Sequence, residues 1–445
     1  MIFINKFIDL NNYKKNNSLT LFLIFFLVLT SVVSFFLGFY FNENSAGAGG
    51  FKGDFSNVWN NINLLKKYDL KTFFCITAKS CHEISDTYIS SRTPLLYLVN
   101  YFLNPFVSHE ELFRVSIFVF SLLIPIFFFY SLKKRYPGYQ NILLVFVTSI
   151  ILLSPYFRVS SYWGLEENYA LLTTLLTYIF FIKFIKKKNN KNIFLLTFFA
   201  SLTVYFDIKF LIVPLITFFK IINSKIILKK KIQTIVLFFL FSLPYVYLIF
   251  LWKNIIPTND AINRNAGLLF FQNIGYSITL IFFYIFPFII INIRNFYNNF
   301  IKLLKNKFFF LFLIIIFTYL IFFIFYYNIS LETKLGKGYA YKLAILLFEN
   351  YILQKIFLSL IILIGYFSII VFFNNKLGDF LIIIYFIFFP IFVYPLMQEY
   401  YDPVLFIMFF LFFFKKIEIN FSKVLILYIY FFCFLIFAFN YYKYS

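Results

Sequence analysis

The sequence predicts an all-α polytopic membrane protein with about 13 transmembrane helices and a long first outer loop that carries interfacial helices. Three observations predict this class. Hydrophobic residues make up 62% of the 445-residue chain and charged residues only 13%, whereas a soluble domain carries about 25% charge. Apolar runs of roughly 18 residues or more, long enough to cross the hydrocarbon core, recur along the chain. Basic clusters fall at alternate ends of those runs, as in cytoplasmic loops. A soluble enzyme, a disordered tail and a disulfide-framework secreted domain are thereby excluded. The excess of 40 Lys and Arg over 18 Asp and Glu is read as topology, not as a nucleic-acid footprint. Three cysteines cannot build a four-cysteine metal centre and two histidines leave little for a His-rich one. A hard, oxygen-bound cation (Mg or Mn) stays open.

The runs lie near 19–41, 113–132, 140–157, 168–185, 193–206, 208–223, 232–252, 268–291, 308–327, 356–373, 379–396, 403–414 and 424–441. Those at 193–206, 208–223 and 403–414 are short. Together they make 1–445 one integral membrane domain. The first run ends in Phe39-Tyr40-Phe41 without a small-residue cleavage site and is read as a retained span. Lys14-Lys15, Lys133-Lys134-Arg135, Lys186-Lys187-Lys188, Lys229-Lys230-Lys231, Lys302 with Lys305 and Lys307, and Lys415-Lys416 mark one side as cytoplasmic. The expected setting is a bacterial inner membrane, with the N-terminus in the cytoplasm and the first loop in the periplasm. In that orientation every acid except Asp9, Asp379 and Glu418 faces outward.

The first outer loop, 42–112, opens with the small-residue stretch Ser45 to Gly50. After Asp54, Phe55, Val58, Trp59, Ile62 and Leu65 recur at helical spacing, while Ser56, Asn57, Asn60, Asn61, Lys66 and Lys67 take the other face. This describes a helix lying on the bilayer surface. Pro94 to Phe106 is apolar but too short to span, and is read as interfacial or re-entrant. Cys75 and Cys81 share this loop; they form a disulfide if the compartment is oxidising and remain two thiols otherwise.

Four segments, in order and on one side, resemble the GT-C glycosyltransferase superfamily, including its protein mannosyltransferase-like and aminoarabinose-transferase-like members. They are GDFSNVWNNINLLKKYDL after the first span, SRTPLLYLVNYFL followed by EELFRVSIFVFSLLIPIFFFYSLKKRY, the turn SPYFRVSSYWGLEENYALLTTLLTYIFF, and QEYYDPVLFIMFF near the end. The chain departs from the family where Asp54-Phe55 replaces a frequent Asp-Glu pair and where Gln398-Glu399 replaces a common basic residue. The resemblance implies a multi-span enzyme that takes a sugar from a polyprenyl-phosphate donor and passes it to a lipid, glycan or protein acceptor, with no nucleic acid involved.

A phosphate monoester leaves without a general acid, since its second pKa is about 6. Such a transfer needs a base for the acceptor hydroxyl. Asp54 fits by position and the resemblance implies that role; between Gly53 and an amphipathic helix it also suits an N-cap. Cations at the outer surface would clamp the departing phosphate. The candidates are Arg92, Arg114, Arg158, Lys209 and Arg264. Relatives similarly carry a basic residue at the Lys209 position, which alternatively forms a simple Asp207–Lys209 turn; Arg114 alternatively snorkels from its span. Glu111, Glu166, Glu167 and Glu399 are candidates for a second carboxylate that positions the acceptor or shares a divalent cation with Asp54. The first three also suit the positive end of a helix dipole. Tyr162, Trp163, Tyr400 and Tyr401 could stack on a sugar or belong to an aromatic belt.

The expected function is therefore inverting sugar transfer at the outer face. An O-antigen polymerase or ligase shares the span count but usually carries its main outer loop in the second half of the chain. A lipid-linked sugar flippase or other transporter should show repeat symmetry and broken helices at the midplane.

Overall fold

The computed structural model describes residues 17–46, 53–81, 83–307, 309–327, 336–373, 377–414 and 416–443. Lys14-Lys15, the Gly47–Gly50 part of the small-residue stretch and Lys415 lie outside the described residues. The described residues form helices and no strand. In chain order the α-helices are α1 (Asn17–Tyr40), α2 (Asp54–Lys67), α3 (Leu70–Thr77), α4 (Leu95–Leu103), α5 (Glu110–Ser121), α6 (Leu123–Arg135), α7 (Asn141–Ser149), α8 (Pro155–Trp163), α9 (Glu167–Lys186), α10 (Asn190–Phe206), α11 (Ile212–Ile222) and α12 (Leu228–Trp252). They continue as α13 (Thr258–Asn263), α14 (Gln272–Ile291), α15 (Ile293–Leu304), α16 (Phe309–Phe325), α17 (Gly338–Leu347), α18 (Tyr351–Phe373), α19 (Leu377–Phe388), α20 (Val404–Leu411) and α21 (Phe421–Lys443).

Among the described residues, seven helices are long and apolar enough to cross a membrane: Ser18–Tyr40, Glu110–Arg135, Glu167–Lys186, Leu228–Trp252, Gln272–Ile291, Tyr351–Phe373 and Phe421–Tyr442. The number rises to nine if each of two bent helix pairs counts as one span. The other expected spans are shorter or broken, for local reasons. Run 140–157 breaks by 70° between Leu153 and Pro155. Pro155 has no N–H to continue the earlier ladder, and Ser154 accepts from the Phe157 N–H at 3.0 Å, which caps a new helix. Asp207 separates run 193–206 from 208–223: its extended backbone ends α10, and its carboxylate accepts from the Lys209 N–H at 3.0 Å. Run 403–414 forms only the eight-residue α20. Large side chains such as Phe22 (63% exposed), Phe25 (61%) and Phe250 (77%) cover the outer faces of the long helices, a pattern that suits lipid and not water.

Within the single domain expected for 1–445, the structure distinguishes two compact units: 1–257 with 417–445, and 258–416. In the first unit α9 packs along α10 and α6, α10 along α12, and α1 against α7. The first loop is held onto this bundle. α2 packs on α4, α4 touches α10, and the Trp252 indole of α12 donates to Thr77 of α3 at 3.0 Å. Cys75 and Cys81 are joined as a disulfide. In the second unit α14 packs along α18 and α17, with α15 and α16 against α18.

Candidate functional site

The buried charged residues of the first unit gather where its helices end in acids and not in lysines. α9 begins at Glu167 and ends at Lys183 and Lys186, and its antiparallel neighbour α10 returns to stop at Asp207. Gly164, at φ +67°, closes α8 in the left-handed conformation, which a glycine adopts without a Cβ penalty. The chain therefore turns sharply and places Glu166 and Glu167 at the head of α9.

Four of these groups form a closed ring of alternating charge. Glu167 Oε1 meets Arg92 Nη2 at 2.5 Å and Lys209 Nζ at 3.1 Å. Asp207 Oδ2 meets Lys209 Nζ at 3.2 Å and Arg92 Nε at 3.5 Å. Arg92 comes from the first loop, Glu167 from the head of α9, and Asp207 and Lys209 from the turn after α10. Lys209, Asp207 and Glu167 are enclosed, whereas the Arg92 side chain keeps 18% exposure and is the ring's rim. Ser160 of α8 reaches Glu167 Oε2 at 3.5 Å.

Glu166 lies beside the ring. Its Oε1 accepts from the Tyr97 hydroxyl at 2.7 Å and the Ser90 hydroxyl at 3.2 Å. Burial pushes this carboxyl above its ordinary value; Arg92 opposes the shift and the neighbouring Glu167 adds to it. The Tyr97 phenol is likewise raised, by burial first and by the Glu166 charge second.

Asp54 is the first residue of α2, with Gly53 at the N-cap position. The carboxylate thus belongs to the first turn, where the helix dipole favours a negative charge, and not to the cap. Its neighbour Phe55 packs on Trp163 (6.1 Å between ring centroids) and Phe113 (6.3 Å). α2 is fastened to the Arg92 segment by Asn61, whose amide donates to the Ile89 carbonyl at 2.9 Å and accepts from the Ile89 N–H at 3.2 Å. Asn61 is fully buried, not on the solvated face expected for it. It stands three residues after Val58 and four before Leu65, so the apolar stripe already enclosed it.

The other candidate cations stand elsewhere. Arg158 is buried between α1 and α8, with Nε donating to Glu43 Oε1 at 2.8 Å, Nη2 paired with Glu43 Oε2, and Nη2 also donating to the Ser34 carbonyl at 2.8 Å. Arg114 stacks on Trp163 (4.1 Å to the ring centroid) and Phe39 (4.6 Å) and donates to the Tyr162 carbonyl at 2.9 Å. Arg264 belongs to the second unit, 2.6 Å from Asp260. Glu111 is exposed in the first turn of α5.

Among the aromatic candidates, Tyr162 is enclosed and donates to the Phe35 carbonyl at 2.7 Å, and the Trp163 indole donates to the Glu43 carbonyl at 3.2 Å. Glu399 and Tyr400 are half-buried in the second unit, where Tyr401 donates to Ser277 at 2.7 Å. Glu43, Ser90 and Tyr97 are not distinguished by the sequence; for Glu43 the only signal is an acid a few residues past the first span.

No group of three or more His, Cys, Asp or Glu side chains among the described residues is placed to hold a metal ion. Glu167, one of the carboxylates expected to share a divalent cation with Asp54, faces the Arg92 guanidinium and the Lys209 ammonium. No protein-family model, curated protein or solved structure matches the chain.

Proposed function

We propose that the protein is an integral membrane glycosyltransferase of GT-C type, which moves one sugar from a polyprenyl-phosphate donor to an acceptor at the face carrying the first loop. One observation carries the reading. Two of the four segments that bear the resemblance, far apart in sequence, supply Arg92 and Glu167 to a single ionic ring, which Asp207 and Lys209 of the turn after α10 complete. That ring lies at the helix ends opposite the lysine clusters. The helix led by Asp54 is fastened to the same loop through Asn61.

In this reading the Asp54 carboxylate takes the proton of the acceptor hydroxyl. The hydroxyl oxygen bonds to the anomeric carbon from the face opposite the phosphate, the bond to the phosphate oxygen breaks, and polyprenyl phosphate departs with the electron pair. Configuration inverts. Arg92, at the rim, meets the departing charge first, and Lys209 supports it from within. Glu167 and Asp207 hold both cations in place before substrate arrives, so little reorganisation remains for the reaction itself.

The broken pair α7–α8, with its 70° bend, is a feature that a lipid-linked sugar transporter would also carry. One experiment separates the two. Reconstituted protein is given radiolabelled polyprenyl-phosphate sugars and the label is followed on carrier and acceptor. Transfer is expected, and Asp54→Asn is expected to slow it by about 10²–10⁴-fold, the usual contribution of a positioned base. Full activity in Asp54→Asn would remove the base from the scheme. Label that crosses leaflets but stays on its carrier would replace the transferase by the transporter.

A further inference from the structure

The segment between α14 and α16 contains Arg294, Lys302, Lys305 and Lys307 and no acidic residue. It is not a plain basic loop. Residues Ile293–Leu304 form α15, whose axis stands at 96° to α16. At 3.6 residues per turn, Ile293, Tyr297 and Leu304 fall within about 40° of one another. Phe296, Phe300 and Leu303 take the adjoining sector, and Asn295, Asn298, Asn299 and Lys302 the far side.

The structure uses these sectors differently. Leu303 is fully enclosed with Ile370 and Val371 of α18, and Phe296 and Phe300 pack against the same cluster. The neighbouring apolar sector faces outward, with Ile293 55% exposed, Tyr297 61% and Leu304 42%. Exposed apolar surface continues onto Ile290 at the end of α14 and onto Phe310 and Leu311 at the start of α16. Arg294, Lys302 and Lys305 are exposed as well.

We infer that α15 lies in the plane of the membrane surface and binds anionic phospholipid, with Arg294, Lys302 and Lys305 on the headgroups and Ile293, Tyr297 and Leu304 in the upper acyl region. An in-plane helix needs an apolar stripe, a basic polar face and a short reach into the acyl boundary, and α15 has all three. The ligand chemistry is a phosphodiester with net negative charge, which guanidinium and ammonium groups recognise. A free phosphate would satisfy the cations but would leave the outward apolar sector in water. A lipid satisfies both, and the apolar surface of α14 and α16 on either side supplies the continuity.

The test uses the full chain in nanodiscs. A fluorophore is placed at Tyr297→Cys in a Cys433→Ser background, Cys75 and Cys81 being occupied by their disulfide. Quenching is measured with a small, equal mole fraction of phosphatidylglycerol or phosphatidylcholine, each carrying a nitroxide near the top of one acyl chain. Quenching by both lipids is expected, with phosphatidylglycerol enriched at the site by about fivefold, the preference that one basic residue near an anionic surface confers. The combined substitutions Arg294→Gln, Lys302→Gln and Lys305→Gln should bring the two lipids to parity. These side chains lie outside the packing around Leu303, so the variant keeps its fold. Absence of quenching by either lipid, equal quenching before substitution, or a preference that survives all three substitutions would each overturn the inference. Loss of the preference on adding millimolar inorganic phosphate would assign the cations to free anions and overturn the lipid as ligand.

Discussion

Lys209→Met is the sharpest perturbation of the ionic ring, because Met retains length and apolar bulk and removes only the charge. In the ring Glu167 and Asp207 each contact two cations. Without Lys209, Asp207 is left with Arg92 Nε at 3.5 Å, and Glu167 with Arg92 Nη2 alone. Removing one partner from a buried ion pair costs about 3–5 kcal/mol, since it leaves a buried charge uncompensated. At roughly 2–4 °C per kcal/mol for a domain of this order of size, the unfolding midpoint should fall by about 6–20 °C. The measurement is thermal unfolding of the purified protein in detergent, followed by near-ultraviolet circular dichroism. Asp207→Asn added to Lys209→Met withdraws the stranded charge, so the double variant should recover part of the loss, with a coupling of up to about 3 kcal/mol. A midpoint in Lys209→Met within about 2 °C of the parent, or strict additivity in the double variant, would refute the ring as a buried, mutually dependent unit.

Glu166→Gln tests the neighbouring carboxyl by pH. Its folded value lies above the ordinary 4.5, so the folded state holds this proton more tightly than the unfolded chain. That contribution is fully present below pH 4.5 and is lost as pH rises through the raised folded value. The parent should therefore lose stability relative to Glu166→Gln on going from mild acid to neutral pH; a gap that closes instead of widening would sink this account. Gly38→Ala tests the Arg158 clasp. A Cβ there would stand 2.5 Å from Arg158 Nη2, Glu43 Oε2 and the Tyr162 hydroxyl, so a cost of about 1–3 kcal/mol from overpacking is expected. An unchanged unfolding midpoint would show that the clasp gives way easily.

Much of the architecture was legible because one variable, apolar length, decides it. Seven of the expected runs coincide with helices long and apolar enough to span. The remaining runs form shorter or broken helices. Ser154 beside Pro155 starts a new helix within run 140–157, whereas the stop at Asp207 falls between two expected runs, 193–206 and 208–223. Counting hydrophobic residues cannot see a cap, although a Ser-Pro pair is itself a helix-start signal. For α15 the sequence offers Lys302, Lys305 and Lys307 as a mark of sidedness, and its apolar residues, though separated by asparagines, recur at helical period.

The site is legible to a different degree, because charge pairing depends on folding and not on spacing. Arg92 meets Glu167 across 75 residues and Lys209 meets it across 42. Nothing local distinguishes Lys209 from a turn lysine or Arg158 from a second phosphate ligand. The fold separates them by what each cation meets: Arg158 turns into the α1–α8 contact and is held by Glu43, while Arg92 and Lys209 share Glu167 and Asp207 at the end of the bundle. Buried ion pairs contribute little net stability compared with apolar packing of the same volume. A ring of four charges in a chain with so little charge is therefore hard to explain by stability alone. Its rim at Arg92 and its neighbour Glu166 both sit where the first loop covers the helix ends, which is the arrangement a charged substrate meeting the membrane surface would require.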